Sequence, residues 1–194
     1  ELGALNEEML VIIQGSGLNE GRGAGQLLAA MNLTERVRLL VVGTGDIIER
    51  LRRDASSSPA GSRMIFLPRM PWEEMMRYTM CCDAGLSLDT DTCVNQRYSL
   101  PNKFFDYIAA GIPALVSPLP EVAALVEKYG CGKVLEAVTP ESIACELQLL
   151  ADDPRLLSSL KENAVEARRE LNWEREKEGE RELIRSVVKS KSNR

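Results

Sequence analysis

The stretch Leu100-Pro101-Asn102-Lys103-Phe104-Phe105-Asp106-Tyr107-Ile108-Ala109-Ala110-Gly111-Ile112-Pro113 carries a helix start, a cation, a carboxylate and a helix stop, and the apolar run Ala114-Leu115-Val116 follows at once. Pro101 suits the first helical position, where its missing N–H would be unpaired in any case. Gly111 and Pro113 end the helix, and the apolar run reads as a buried strand. Lys103 and Asp106 are spaced i,i+3, so both lie near one face of the first turns. One suits a phosphate and the other a sugar hydroxyl. The N–H groups of a helix N-terminus favour an anion as well. The pattern points to a phosphorylated sugar ligand.

Outward from this stretch, short apolar runs alternate with helix-length segments. Strands are expected at Met9 to Ile13, Val37 to Val42, Met64 to Leu67, Ala84 to Leu88, Pro113 to Val116 and Lys133 to Leu135. Helices are expected around Ala24 to Met31, after Asp46 through Arg53, and from Pro71 to Met80. From about Thr139 the chain turns helical and charged, with a terminal helix and basic tail over 173–194. Such alternation means βαβ units with right-handed crossovers. The fold class is α/β: a Rossmann-like, doubly wound parallel sheet of about six strands, helices on both faces, and a helical C-terminal extension. In the strand order 3-2-1-4-5-6, the loops after strands one and four, residues 14–23 and 89–103, face each other across one crevice. Arg22 then stands opposite Lys103, and two cations beside a helix N-terminus suit a diphosphate.

Composition removes several function classes. The 194 residues amount to one domain or one half of a two-domain enzyme, and 44% hydrophobic residues supply a core. No window reaches membrane-spanning length, and Glu1-Leu2-Gly3-Ala4-Leu5-Asn6 has no signal pattern. The chain has no histidine, which rules out Ser–His and Cys–His nucleophiles. Five cysteines without a CxxC pair read as unpaired cytosolic thiols rather than a zinc site. A net charge of −5 argues against nucleic acid. The basic tail Lys189-Ser190-Lys191-Ser192-Asn193-Arg194 reads as a solvated end.

Four segments in this order resemble the C-terminal, donor-binding domain of a GT-B glycosyltransferase of the retaining family 4, the group 1 glycosyl transferases. They are Gln14 to Gly23, Leu40 to Asp46, Pro101 to Pro113, and Ser117-Pro118-Leu119-Pro120-Glu121, with Asn172-Trp173-Glu174 similar too. The resemblance runs from about Leu10 to Val188. It implies a nucleoside-diphosphate-sugar donor and no metal or other cofactor. It also implies a saccharide or glycoconjugate acceptor, held by an N-terminal domain absent from this sequence. That domain would carry any association with the inner face of a membrane around an otherwise cytoplasmic protein. Pro-Asn-Lys-Phe-Phe-Asp-Tyr looks like a variant found in bacterial surface-polysaccharide enzymes.

Carried over by position, the resemblance places Arg22 and Lys103 at the leaving diphosphate as the catalytic cations. It gives Gly15, Gly17, Arg22, Ser99, Leu100, Asn102, Lys103 and Asp106 as the donor-binding set, with Asp106 on the ribose. The family's first acidic position falls on Tyr98, and Ser16 stands where an arginine often follows the first loop glycine. A sugar-phosphate epimerase or an inverting transferase shares this fold and phosphate logic. A catalytically silent nucleotide-sugar-binding module is the reading from another class, consistent with Tyr98.

Blander readings stand beside these. Gly15 to Gly21 is spaced GxGxxxG, which departs from the dinucleotide fingerprint, and Gly43-Thr44-Gly45 reads as a tight turn. Lys103 can pair with Asp106 on a solvated helix face. Arg69 and Met70 lie beside a nucleotide base or in a plain loop. Asp89-Thr90-Asp91 spells a metal triplet but is discounted, and Glu121 answers to a helix dipole alone. Met75, Met76 and Met80 are expected in the core, with Cys81 and Cys82 as buried small residues.

Overall fold

The computed structural model describes residues 8–192, with the backbone alone at residues 182, 183 and 186–192. Six parallel strands, β1 (Met9–Gly15), β2 (Val37–Gly43), β3 (Met64–Leu67), β4 (Ala84–Ser87), β5 (Ala114–Val116) and β6 (Gly132–Val134), stand in the order β3-β2-β1-β4-β5-β6. This is the doubly wound order expected from the alternation. The winding reverses between β1 and β4, which pair through Val11 with Ala84 and Ile12 with Gly85.

Each strand alternates its side chains between two apolar layers. Val11 and Ile13 of β1 join one layer with α1 (Leu27–Asn32), α2 (Ile48–Ser56) and α7 (Pro140–Asp152). Ile12 joins the other, built with α3 (Trp72–Thr79), α5 (Asn102–Ala110) and α6 (Pro120–Tyr129). Helix α8 (Pro154–Ala167) reaches both layers, through Leu160 on one side and Ala164 on the other. Thr139 and Asp153 cap α7 and α8 by accepting backbone N–H bonds, an arrangement worth about 1 kcal/mol each.

Several boundaries differ from expectation for local reasons. Pro101 is the N-cap of α5, extended at ψ 133°, and Asn102 is the first helical residue. Gly111 ends α5 in the left-handed region, as expected. Pro113 and Leu135 lie outside their strands, because β5 and β6 pair only over three residues each. The helix expected from Ala24 opens as a 3-10 turn, Ala24–Gln26. Residues 89–100 contain one short helix, α4 (Val94–Arg97). Met76 is buried, whereas Met80 and Cys81 are exposed, because α3 ends at Thr79 and the turn after it faces out.

The last helix, α9, runs Trp173–Ser192. The spacing of Leu183, Ile184, Val187 and Val188 predicts one apolar side for this helix; of the four only the Ile184 side chain is described, and it is exposed. The other three side chains, those of the basic tail, and the amino terminus lie outside the described residues. Among the described residues no helix is long and apolar enough to cross a membrane.

Tyr107 sits at the crossing of α5 over the sheet, fully buried, and its hydroxyl donates to the Leu86 carbonyl at 2.9 Å. Burial, ahead of any charge nearby, pushes its pKa well above the ordinary value. The ring lies on Gly85, where a Cβ would stand 2.3 Å from ring carbon. Gly85→Ala is therefore expected to destabilise the fold by at least the 1–3 kcal/mol typical of overpacking, about that range or above, in urea denaturation.

The five cysteines are unpaired. Burial first, then Asp83 and Cys81, pushes the Cys82 thiol up to about 12, and burial pushes Cys131 to about 11. At pH 8 a disulfide exchange reagent is expected to modify Cys81, Cys93 and Cys145 in the folded chain, and Cys82 and Cys131 only after denaturation. Both buried groups hold their proton more tightly when folded. Their contribution to stability is thus full below pH 9 and lost as pH rises toward 11–12.

Candidate functional site

A cleft of about 1070 Å³ opens at the C-terminal ends of β1 and β2, against the start of α5. Its floor is the Gly15–Gly43 pair at the end of the β1–β2 ladder. The loops beyond are laced together: Thr44 N–H donates to Gly15 O, and Leu18 N–H to Thr44 O. The far wall comes from the β3–α3 loop, through Arg69, Met70, Pro71 and Trp72.

The loop after β1 reaches the end of β4. Gly23 takes φ 73°, and a Cβ there would stand 2.2 Å from Leu88 Cβ. Only glycine lets the backbone turn this tightly so close to the strand. The carbonyl of Gly21 accepts from both the N–H and the hydroxyl of Thr90. As a result, loops 14–23 and 89–103 meet over one crevice.

Asp89, the second residue past β4, is the electrostatic centre of that meeting. Its Oδ2 accepts from Lys103 Nζ at 2.9 Å, and its Oδ1 lies 3.7 Å from Arg22 Nη1. Asp89 is 4% exposed and Lys103 8%. Lys103 thus pairs with Asp89, and the solvated Lys103–Asp106 pair does not form. The Arg22 side chain stays 45% exposed and lines the cleft with Lys103. Lys103 is committed to Asp89 through one N–H, leaving two donors for a ligand.

The lining carries three cations, Arg22, Arg69 and Lys103, against one carboxylate, Asp106. In a chain of net charge −5, this is a local positive basin. Pro101, Asn102 and Lys103 bring the N-terminus of α5 to the same wall, where its dipole adds partial positive charge. The cleft is built for an anion.

Asp106, three residues on, faces a different neighbourhood. Its Oδ1 accepts from Trp72 Nε1 at 2.9 Å and its Oδ2 from Gln14 Nε2 at 3.1 Å. Gly15, Gly17, Arg22, Asn102, Lys103 and Asp106 all line the cleft, together with Arg69 and Met70. Ser99 and Leu100 do not: Ser99 turns its hydroxyl back onto Gln96 O at 2.9 Å, and Leu100 is exposed. Tyr98 is exposed at the end of α4, and Glu121 lies in the first turn of α6, both outside the lining. The Asp89-Thr90-Asp91 triplet is divided, since Asp91 pairs with Arg97 at 2.7 Å.

Gln14 and Trp72 escaped the sequence reading as site residues, and Asp89 entered it only within a discounted metal triplet. Gln14 leaves a faint signal, a polar residue closing an otherwise apolar strand. Asp89 leaves another, a carboxylate just past the fourth strand where two cations were expected to meet.

A family model described as Glycosyl transferases group 1 matches residues 3–167. The chain belongs to that family. No curated protein sequence matches it. Among solved structures, HepE of Anabaena in complex with UDP and glucose superposes with a TM-score of 0.78 at 16% identity, over 93% of this chain and 49% of that one. Sucrose-phosphate synthase of Thermosynechococcus elongatus gives 0.78 at 19%, over 95% and 46%. The C-terminal domain of a group 1 glycosyl transferase, LpcC of Francisella tularensis, gives 0.67 at 13%, over 82% and 83%. The fold is thus the C-terminal half of a GT-B glycosyltransferase, and the chain spans less than half the length of the first two of these structures.

Removing one member of a buried ion pair leaves the other desolvated without its counter-charge, at a cost of about 3–5 kcal/mol. Asp89→Asn is expected to fall in that range. Lys103→Met should cost less, because Arg22 still faces Asp89, and the double variant should recover stability relative to Asp89→Asn. Urea denaturation of the four chains checks the cycle.

Proposed function

We propose that this chain is the donor-binding half of a nucleotide-sugar-dependent glycosyltransferase. The observation that carries the reading is the convergence of Arg22 and Lys103 on Asp89 at the switch point, beside the N-terminus of α5. A nucleoside diphosphate sugar would lie in the cleft with its diphosphate toward Arg22, Lys103 and the first N–H groups of α5. Gly15 and Gly17 would let the backbone approach it, Asn102 would border the phosphates, and Asp106 would meet the ribose. Arg69, Met70 and Trp72 would flank the base. A UDP complex of HepE, whose fold this chain shares, supports the choice of ligand class.

The chemistry follows from where charge grows. As the glycosyl–oxygen bond breaks, the sugar becomes oxocarbenium-like and negative charge accumulates on the leaving diphosphate. Arg22 and Lys103, held in place before the reaction, stabilise that charge without reorganising. One such well-placed donor is commonly worth about 3–4 kcal/mol. No metal is assigned a part, because each carboxylate of the Asp89–Asp91 triplet already faces its own cation.

The resemblance of Pro101 to Pro113 to family 4 motifs supports transfer with retention. The acceptor in this reading is a saccharide or glycoconjugate, held by a preceding domain, in bacterial surface-polysaccharide synthesis. Unpaired thiols fit a cytoplasmic setting, with membrane association supplied by that other domain. Tyr98 favours one second reading: it supplies no carboxylate and stands outside the cleft wall, as a silent nucleotide-sugar-binding module would allow. Turnover by the full-length parent distinguishes the two.

A thermal-shift panel of UDP, GDP, ADP, dTDP and NAD tests the reading. At a hundredfold excess over Kd, a bound nucleoside diphosphate adds about 2.7 kcal/mol, or roughly 5–10 °C for a chain of this size. Arg22→Ala is expected to lose most of that shift, with only a small drop in its melting temperature without ligand, because Lys103 still pairs with Asp89. Stabilisation by NAD alone would sink the proposal.

A further inference from the structure

Lys103 is the second residue of α5, and two costs bear on a cation there. The helix dipole opposes positive charge at an N-terminus, and at 8% exposure the side chain has lost most of its water. Arg22 meets a different difficulty. Its turn runs between Gly21 and Gly23, and its side chain is half exposed, so the long stem has many rotamers open to it. One carboxylate answers both. Asp89 accepts from Lys103 Nζ on Oδ2 at 2.9 Å and faces Arg22 Nη1 with Oδ1 at 3.7 Å. Among the described residues it is the one carboxylate paired with either cation.

Asp89 is itself held from both sides. Leu88, before it, is fully buried and lies against Gly23. Thr90, after it, donates through its N–H and its hydroxyl to the Gly21 carbonyl. The residue is thereby fixed to the end of the sheet and to the turn that carries Arg22. It is almost fully buried and absent from the cleft lining, whereas both of its partners line the cleft. A ligand meets the cations and not the carboxylate that holds them.

A cross-link made for stability alone would not need these groups. Apolar residues of similar volume often match or better a buried ion pair, and the neighbours Leu88 and Phe104 are apolar and fully buried. Arg22, beyond hydrogen-bond length from Asp89 and half exposed, adds little to the fold. The arrangement keeps one cation where burial and the dipole both oppose it, and aims a second beside it. Placement of positive charge at the cleft wall accounts for both.

We infer that Asp89 is a positioning residue of the diphosphate site. From beneath the cleft it sets where Lys103 and Arg22 stand, so that a diphosphate already anchored by its nucleoside meets both. This rests on the donor-binding reading above and adds a residue to which the family resemblance gives no part. Free pyrophosphate can shift to follow the cations wherever they stand. The diphosphate of a bound nucleotide cannot, because its nucleoside is held elsewhere in the cleft. Fixed placement therefore favours the nucleotide over pyrophosphate, while charge alone favours both alike.

Calorimetric titration of the 194-residue chain with UDP, GDP, ADP and inorganic pyrophosphate tests the inference in the parent, Asp89→Asn and Asp89→Glu. Asp89→Asn removes the charge, whereas Asp89→Glu keeps it and moves it by one methylene. In both variants the preference for the best-bound nucleoside diphosphate over pyrophosphate is expected to fall about tenfold or more, the worth of a hydrogen bond to a charged group. Pyrophosphate should bind Asp89→Glu about as it binds the parent, and Asp89→Asn no more weakly. A preference kept at the parent's value in either folded variant, beside a lowered melting temperature, would show a merely structural pair and overturn the inference. The parent alone gives a second reading that needs no variant to fold. The NMR coupling across the Lys103–Asp89 hydrogen bond is expected to persist when the nucleotide binds. Its loss would show that the ligand displaces Asp89, and would overturn the inference. A parent that binds the nucleotide no more tightly than pyrophosphate would overturn it too, leaving the donor reading standing. Failure of the parent to bind any nucleoside diphosphate would overturn both.

Discussion

Asp89 and Lys103 face each other at 2.9 Å with almost no solvent between them and the protein interior, and the site is arranged around that contact. Burying either charge alone would be expensive, whereas together, with Arg22 beside them, the cost is largely offset. The pair ties the end of β4 to the first turn of α5, and Arg22 ties in the loop after β1. Charge thus joins the Gly21–Thr90 hydrogen bonds and the Gly23–Leu88 packing in holding these three segments at one point. Such a contact tolerates little substitution. It also leaves unspent donors on both cations, so structural and ligand-binding roles need not compete for the same hydrogen atoms.

The cleft's sign depends on the same contact. Asp89 lies beneath the lining rather than in it, so it orients Lys103 and Arg22 without presenting a carboxylate to an incoming anion. The wall that a ligand meets holds three cations and one carboxylate. A net charge of −5 gives the protein no overall attraction for phosphates. Local arrangement overrides global charge here, because interactions beyond about 8–10 Å are screened at physiological ionic strength.

Much of this was legible in the sequence because it follows from periodicity and turn chemistry. The strand order rests on apolar runs of three to six residues separated by helix-length segments, and parallel pairing with right-handed crossovers leaves few alternatives. The meeting of Arg22 with Lys103 follows from that order. What escaped was set by partners distant in sequence. Lys103 and Asp106 share a helix face by spacing, yet Lys103 turns to Asp89, because a buried counter-charge outcompetes a solvated one. Trp72 and Gln14 carry no local sign of the carboxylate they bind, 34 and 92 positions away. Met80 and Cys81 were expected inside from their apolar character alone, but the end of α3 at Thr79 decides their exposure.

Helix α5 acts as a ruler between two kinds of recognition. Lys103 and Asp106 are three residues apart, a rise of about 4.5 Å and a rotation of about 300°. That offset sends the ammonium toward the β4 loop and the carboxylate toward β1 and α3. A cation surrounded by anion-binding groups and a carboxylate surrounded by hydrogen-bond donors are thereby fixed at a set separation on one rigid element. A ligand that satisfies both must carry its anionic and hydroxylic parts at a matching distance, as a nucleotide does. Tyr107, the next residue on, locks the ruler to the sheet through Gly85 and the Leu86 carbonyl. Helix, lysine, carboxylate and sheet therefore move as one body, and recognition at one end of the cleft is held in register with the other.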